Sequence, residues 1–151
     1  MVITDAELIL RAIISVFLAG LIGLEREHLH KPAGLRTNIL VGLGSTLFML
    51  ISMKLPVILG SQAIDPGRIA GQVVTGIGFI GAGAIIQARG SIVGMTTAAT
   101  IWVVAAIGLA VGIGYYFAAF AITFITLAVL YVLRMIEKRP EQIIPEQEKK
   151  E

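Results

Sequence analysis

The hydrophobic residues of this chain fall into five long runs separated by polar segments. Each run is close to the roughly 17 to 25 residues that a helix needs to cross a bilayer. The pattern therefore predicts an all-α membrane protein, built as a bundle of five transmembrane helices. The predicted runs cover residues 8–24, 37–53, 69–86, 97–113 and 115–134.

Several residues at the ends of these runs are typical of helix caps. Thr4 followed by Glu7 predicts a capping box before the first helix. Asp65 and Pro66 predict an N-cap and a first helical position for the third helix. Pro56 leaves the end of the second helix open, because a proline there either ends the helix or kinks it.

The basic residues predict the orientation of the bundle. Nine Lys and Arg residues lie in the loops or tail at one end of the predicted helices, and three lie at the other. The positive-inside rule then places the amino terminus outside and the carboxyl terminus in the cytoplasm. The nine are Arg26, Lys31, Arg36, Arg89, Arg134, Lys138, Arg139, Lys149 and Lys150, and the three are Arg11, Lys54 and Arg68.

Composition narrows the class of protein further. The 151 residues are 56% hydrophobic and 15% charged, with a mean hydropathy of +0.89, which excludes an ordinary soluble domain. We expect one five-helix transmembrane domain over residues 1–136 and a charged, disordered cytoplasmic tail over residues 137–151. The net charge of +2 fits membrane orientation, so no nucleic-acid partner is expected. The absence of cysteine excludes disulfides, thiolate metal sites and a cysteine nucleophile.

Residues 76–83 read GIGFIGAG, and the first six fit the G-x-G-x-x-G spacing of dinucleotide-binding loops. That interpretation fails, because no Asp or Glu lies between Asp65 and Glu137 to hold a ribose. Glycines in a membrane helix instead let neighbouring backbones approach closely. The pattern predicts that the third helix is the central one, and that leucine at Gly78 or Gly81 disrupts assembly. The packing residues are Gly71, Gly76, Gly78, Gly81 and Gly83.

Polar residues inside the apolar runs form a candidate intramembrane stripe. Arg11 lies on the first helix, and Arg68, Gln72 and Thr75 lie on the third. Ionisable groups at such depths are costly and tend to face an interior or a pathway. The alternative for the two arginines is that they extend to the interface.

A second cluster lies at the predicted cytoplasmic end, where the second and fourth helices begin. Helix N-termini and three arginines make it a candidate site for a lipid headgroup, a phosphate or an acidic partner surface. The alternative is that its charges pair internally and otherwise follow the positive-inside rule. We expect Glu25 to pair with Arg36 across the first loop. The cluster comprises Glu25, Arg26, Arg36, Thr37, Asn38, Arg89, Thr96 and Thr97.

The sequence offers little for metal binding or catalysis. His28 and His30 lie in a polar loop that we expect to be solvated. The third to fifth runs contain no carboxylate, whereas magnesium prefers carboxylates and other oxygen ligands. We therefore predict no metal site, no cofactor, no catalytic residues and no enzymatic activity.

Five stretches of the chain carry a family resemblance. They are similar to the transmembrane domain of the MgtC/SapB family, in the short, SapB-like form without a carboxyl-terminal soluble domain. The resemblance marks Trp102 as a further residue of helix packing. The stretches are Gly23–Glu27, Ala33–Val41, Pro66–Ala70, Gln72–Gly83 and Thr96–Ala99.

The resemblance implies a multi-pass protein of the bacterial inner membrane. Its relatives are associated with adaptation to low magnesium, with survival inside macrophages and, in some members, with restraint of the ATP synthase. Two functions follow as hypotheses. One is a non-enzymatic regulator of membrane energetics or ion homeostasis that acts through membrane partners, a homodimer among them. The other is a transporter or channel for a small ion or solute that uses the polar stripes.

Overall fold

The structure is a computed structural model that describes residues 4–61, 64–88 and 91–136. Its five helices confirm the all-α membrane bundle, and a short antiparallel hairpin that the sequence did not predict joins the third helix to the fourth. The elements are α1 (Asp5–His28), α2 (Leu35–Ile58), α3 (Gly67–Gly83), β1 (Ile86–Ala88), β2 (Ser91–Val93), α4 (Met95–Ile113) and α5 (Tyr116–Ile136).

Within these described ranges, four of the helices are long and apolar enough to cross a membrane. The exception is α3, whose 17 residues give a length of about 26 Å at 1.5 Å per residue. Orientation remains a prediction. The separate tail predicted over residues 137–151 lies outside the described residues.

The helix ends follow local chemistry. The Thr4 hydroxyl accepts a hydrogen bond from the Glu7 amide at 3.3 Å, so Thr4 is the N-cap of α1. At α3, Asp65 Oδ1 accepts from the Gly67 amide at 2.7 Å, and the helix begins one residue later than the sequence predicts. Helix α2 continues through Pro56 to Ile58, which resolves the open question about that proline.

The core lies among α1, α2 and α4. Leu18 and Ile22 of α1 pack with Val104, Ile107 and Val111 of α4, and all five are almost fully buried. Helix α5 covers this cluster through Ala119 and Leu130. Lipid tails are as apolar as these side chains, so the cluster stabilises the bundle through close van der Waals packing rather than through removal from water.

The closest helix contact is between α2 and α4. A methyl group at Gly112 would lie 2.6 Å from Met49 Cβ, and one at Gly108 would overlap the Gly42 carbonyl oxygen. The Thr46 hydroxyl lies 2.8 Å from the Gly108 carbonyl oxygen and 3.0 Å from that of Gly42, so its proton is shared across the interface. These backbones touch because no side chain separates them.

The prediction that α3 is the central helix is wrong. Its buried residues, Ile77 and Gly81, face α4, and Gly81 makes an ordinary contact with Ala98. A run of glycines allows close approach but provides few side-chain atoms for van der Waals packing, and both α2 and α4 have more buried residues than α3. A methyl group would meet no other described atom within 4 Å at Gly71, Gly76, Gly78 or Gly83.

Trp102 also lies outside the packed interior, since 51% of its surface is exposed. The remaining half is covered within the chain, so its role in helix packing remains a prediction. The exposed part of a large aromatic ring on a membrane helix lies against lipid or a partner.

Candidate functional site

The turn between α1 and α2 is held by two side chains. Glu27 Oε2 accepts a hydrogen bond from the Leu35 amide at 2.9 Å, which satisfies a free donor at the start of α2. Asn38 Nδ2 donates to the carbonyl oxygens of Ala33 and Gly34, at 2.8 Å each. Together these bonds fix the path of the chain between the two helices.

Two glycines permit this turn to close. A methyl group at Gly23 would lie 2.8 Å from the Leu35 Cα, and one at Gly34 would overlap the Glu27 carboxylate. Any side chain at Gly23 would push the start of α2 away from α1. These contacts give the first two stretches of the family resemblance a structural reason.

The buried charge at this end is Arg26, which is 3% exposed. Its Nε and Nη2 both donate to the Glu25 carboxylate. The expected pair between Glu25 and Arg36 is wrong, because Arg36 is exposed and forms no ion pair with a described residue. A buried guanidinium requires a counterion, whereas an exposed one is stabilised by water.

The structure brings only part of the predicted cytoplasmic cluster together. Arg26, Thr96 and Thr97 line one pocket, at the end of the bundle where α4 begins. Thr37 lies instead in a groove between α2 and α3, and Asn38 is fully buried in the turn. Arg89 lies outside the described residues. Thr97 does not cap α4, which begins at Met95 after Gly94.

Arg11 lies at the opposite end of the bundle. It is 2% exposed, its Nη2 pairs with Glu7, and its Nη1 donates to the Gly112 carbonyl at the end of α4. Arg11 is therefore buried within the bundle and ties α1 to α4. Cations are favoured at a helix C-terminus, where free carbonyl groups gather.

The polar residues of α3 do not join Arg11. Arg68, Gln72 and Thr75 are all exposed, and Thr75 Oγ1 donates to the Gly71 carbonyl of its own helix at 3.2 Å. Gln72 lines the groove between α2 and α3, which has a volume of about 620 Å³ and mostly apolar walls. The predicted stripe is thus divided, because Arg11 is buried within the bundle and the polar residues of α3 lie on its exposed surface.

A metal site finds no support in the described ranges. They contain no group of three His, Cys, Asp or Glu side chains that could hold a metal ion. His28 and His30 are exposed, and the only acidic side chains of α1 that contact a cation are Glu7 and Glu25 in their arginine pairs.

Comparison with known proteins decides the family. The model of the MgtC family matches residues 12–139, which is most of the chain. The chain belongs to the MgtC family. This confirms the resemblance that the five sequence stretches indicated.

Three MgtC-family relatives illustrate the similarity. The "Putative magnesium transporter YhiD" of Escherichia coli (strain K12) is 47% identical over 89% of this chain and 64% of its own length. "Protein MgtC" of Salmonella typhimurium (strain LT2) is 42% identical over 89% of this chain and 56% of its own. "Protein MgtC" of Brucella abortus (strain 2308) is 44% identical over 78% and 47%. None of these names is that of an enzyme.

The chain spans less than two thirds of the length of these MgtC-family relatives. No solved structure is significantly similar to it. Family membership and four apolar helices of membrane-spanning length, among the residues described, establish a membrane protein.

Four side chains shape these sites although the sequence did not mark them as site residues. Glu7 and Glu27 act as a counterion and a helix cap, and the four-residue spacing from Glu7 to Arg11 was a signal for the first. Lys31 and Arg134 line the same pocket as Arg26. Their proximity could not be predicted, because about a hundred positions separate them in the chain.

Proposed function

We propose that this protein is a non-enzymatic regulator of membrane energetics or ion homeostasis in the bacterial inner membrane, linked to adaptation to low magnesium. It acts through other membrane proteins rather than by moving magnesium itself. Membership of the MgtC family, together with a relative whose name refers to magnesium transport, supports a magnesium-related membrane role.

The state of the carboxylates on α1 carries the choice of a regulator. Of its four acidic residues, Asp5 is exposed in the first turn, and Glu27 is exposed and caps α2. Glu7 pairs with Arg11 and Glu25 pairs with Arg26, so neither is a free ligand for a cation. The sequences of α2, α3, α4 and α5 contain no Asp or Glu. A magnesium ion keeps its water unless oxygen ligands replace it, and it prefers carboxylates among them. The described interior offers little to replace that water.

The alternative is a transporter or channel for a small ion or solute. The name of the Escherichia coli relative refers to magnesium transport. Three buried polar atoms, Arg11 Nε, Ser15 Oγ and Asn38 Oδ1, have no hydrogen-bond partner in the described part of the chain and favour internal water. Against this alternative, the polar residues of α3 lie on the exposed surface and do not face Arg11 across a shared cavity.

Partners are engaged through the exposed glycines of α3, which lie on two sides of the helix, Gly76 on the side of Gln72 and Gly78 on the side of Gly71. Nothing in the described chain packs within 4 Å of a methyl group built at Gly76 or Gly78. Small residues let a second helix approach closely in lipid, and the exposed Gln72 amide can both donate and accept a hydrogen bond. A second copy of this chain and an energy-converting membrane protein such as the ATP synthase are the proposed partners.

Replacing Gly78 with leucine should weaken association without unfolding the chain. The added side chain fills the space that a partner backbone would occupy, whereas the chain itself has room for it. Energy transfer between fluorescently labelled copies in lipid vesicles measures self-association, and capture from native membranes measures binding to other proteins. We expect either signal to fall about tenfold, equivalent to about 1.4 kcal/mol.

Ala128→Leu is the matched control, since Ala128 is an exposed small residue on α5. It should leave association unchanged. Equal association by wild type, Gly78→Leu and Ala128→Leu would show that the Gly78 side of α3 is not a partner surface.

A further inference from the structure

A pocket of about 590 Å³ lies where the end of α1, the start of α4 and the end of α5 meet. Three basic side chains line it, Arg26, Lys31 and Arg134, and none of its described lining residues is acidic. Glu25 neutralises Arg26. Lys31 and Arg134 form no ion pair with any described residue, so the pocket carries an excess of positive charge.

The start of α4 adds hydrogen-bond donors to the same pocket. Gly94, Met95, Thr96 and Thr97 line it, and no side chain among the described residues caps this helix. The first amide groups of an α-helix have no partner within the helix and favour an anion. By contrast, the corresponding amide of α2 is satisfied by Glu27.

The backbone before α4 is fixed by Gly94. Its φ is 96°, in the left-handed region, and a methyl group there would overlap the Ala84 carbonyl oxygen after α3. A side chain at this position would therefore displace the start of α4. The amide groups are held in place relative to the basic side chains.

One wall of the pocket is apolar and continues onto the outer surface. Val129, Leu130 and Leu133 of α5 form it, and Val129 and Leu133 are about half exposed. An inorganic anion would leave this wall uncovered. A ligand with a negatively charged head and a hydrocarbon chain would contact both parts.

We propose that this pocket binds a phosphate group, and that an anionic phospholipid supplies it. The phosphate lies between Lys31, Arg134 and the first amides of α4, and an acyl chain follows α5. Basic pockets between membrane helices commonly bind such headgroups. This site goes beyond the proposed regulation and does not depend on it.

Thermal stability of the full chain in nanodiscs tests the site. One set of discs contains phosphatidylcholine alone and another contains phosphatidylglycerol as well. A double variant, Lys31→Gln with Arg134→Gln, removes two exposed charges. Lys54→Gln is the matched control, because Lys54 is also exposed but does not line the pocket.

We expect phosphatidylglycerol to raise the melting temperature of the wild type and of Lys54→Gln. The double variant should melt like the wild type in phosphatidylcholine and gain little from phosphatidylglycerol. Titration with phosphatidylglycerol should show binding about tenfold weaker in the double variant. Native mass spectrometry should find one retained phosphatidylglycerol that the double variant loses.

Other results would overturn either the site itself or its assignment to a lipid. Equal protection by both lipids, or equal protection of all three proteins by phosphatidylglycerol, would overturn the site. Inorganic phosphate is added in a separate arm without anionic lipid. If it protects the wild type as strongly as phosphatidylglycerol and fails to protect the double variant, a soluble phosphate is the ligand and the lipid assignment is overturned.

Discussion

Replacing Gly108 with alanine should lower the free energy of unfolding by about 3 kcal/mol, at the upper end of the cost of overpacking. The new methyl group would overlap the Gly42 carbonyl oxygen and lie 2.9 Å from Ser45 Cβ. A backbone atom cannot rotate away as a side chain can, so α2 and α4 would have to separate. Reversible unfolding in mixed micelles, followed by circular dichroism, measures the change.

Gly78→Ala is the matched control, since it makes the same chemical change on α3 where the space is open. It should leave stability unchanged or raise it by up to about 1 kcal/mol, because alanine favours a helix over glycine. If the two variants lose the same stability, the glycines of α3 pack as tightly as that of α4, contrary to the fold described above.

Replacing Arg11 with glutamine should destabilise the bundle by about 3 kcal/mol. The change leaves the Glu7 carboxylate without its counterion and removes the cation from the end of α4. Breaking a buried ion pair from one side is costly because the remaining charge stays partly desolvated. The same unfolding measurement reports the loss.

A double variant, Glu7→Gln with Arg11→Gln, tests whether the loss of stability comes from the unpaired Glu7 charge. It should recover part of the lost stability, since neither group remains charged. Arg68→Gln changes an exposed arginine and should shift stability by less than about 0.5 kcal/mol. An effect of Arg11→Gln as small as that of Arg68→Gln would mean that Arg11 lies in water at the interface.

The number and class of the helices could be predicted because the interactions that form each helix act within one segment of the chain. Each apolar run of membrane length must form a helix, since lipid offers no partner for free backbone groups. Caps such as Thr4 act within one turn and could be predicted for the same reason. Membrane orientation remains a prediction from the positive charges.

The position of α3 could not be predicted in this way. A glycine indicates where a backbone can be approached, and this holds equally for a contact within the chain and for one with another molecule. Gly42 and Gly108 contact each other across α2 and α4, whereas Gly76 and Gly78 have no such neighbour in the described chain. Only the arrangement of all five helices separates the two cases.

The candidate site was predicted in part. Arg26, Thr96 and Thr97 line the pocket where a basic cluster was expected. Arg36 does not line it but is exposed on α2, and Arg26 provides the counterion of Glu25 instead. Side chains brought together from α1 and α5 depend on the tertiary fold, which spacing in the sequence does not reveal.

Magnesium flux into vesicles tests the central claim that this bundle is not itself a magnesium pathway. The purified 151-residue chain is reconstituted with phosphatidylglycerol, and a magnesium-sensitive dye inside the vesicles reports entry. With Glu7 and Glu25 held by Arg11 and Arg26, we expect entry no faster than in vesicles without protein. Saturable magnesium entry that Glu7→Gln or Glu25→Gln abolishes would contradict the account and identify the protein as a transporter.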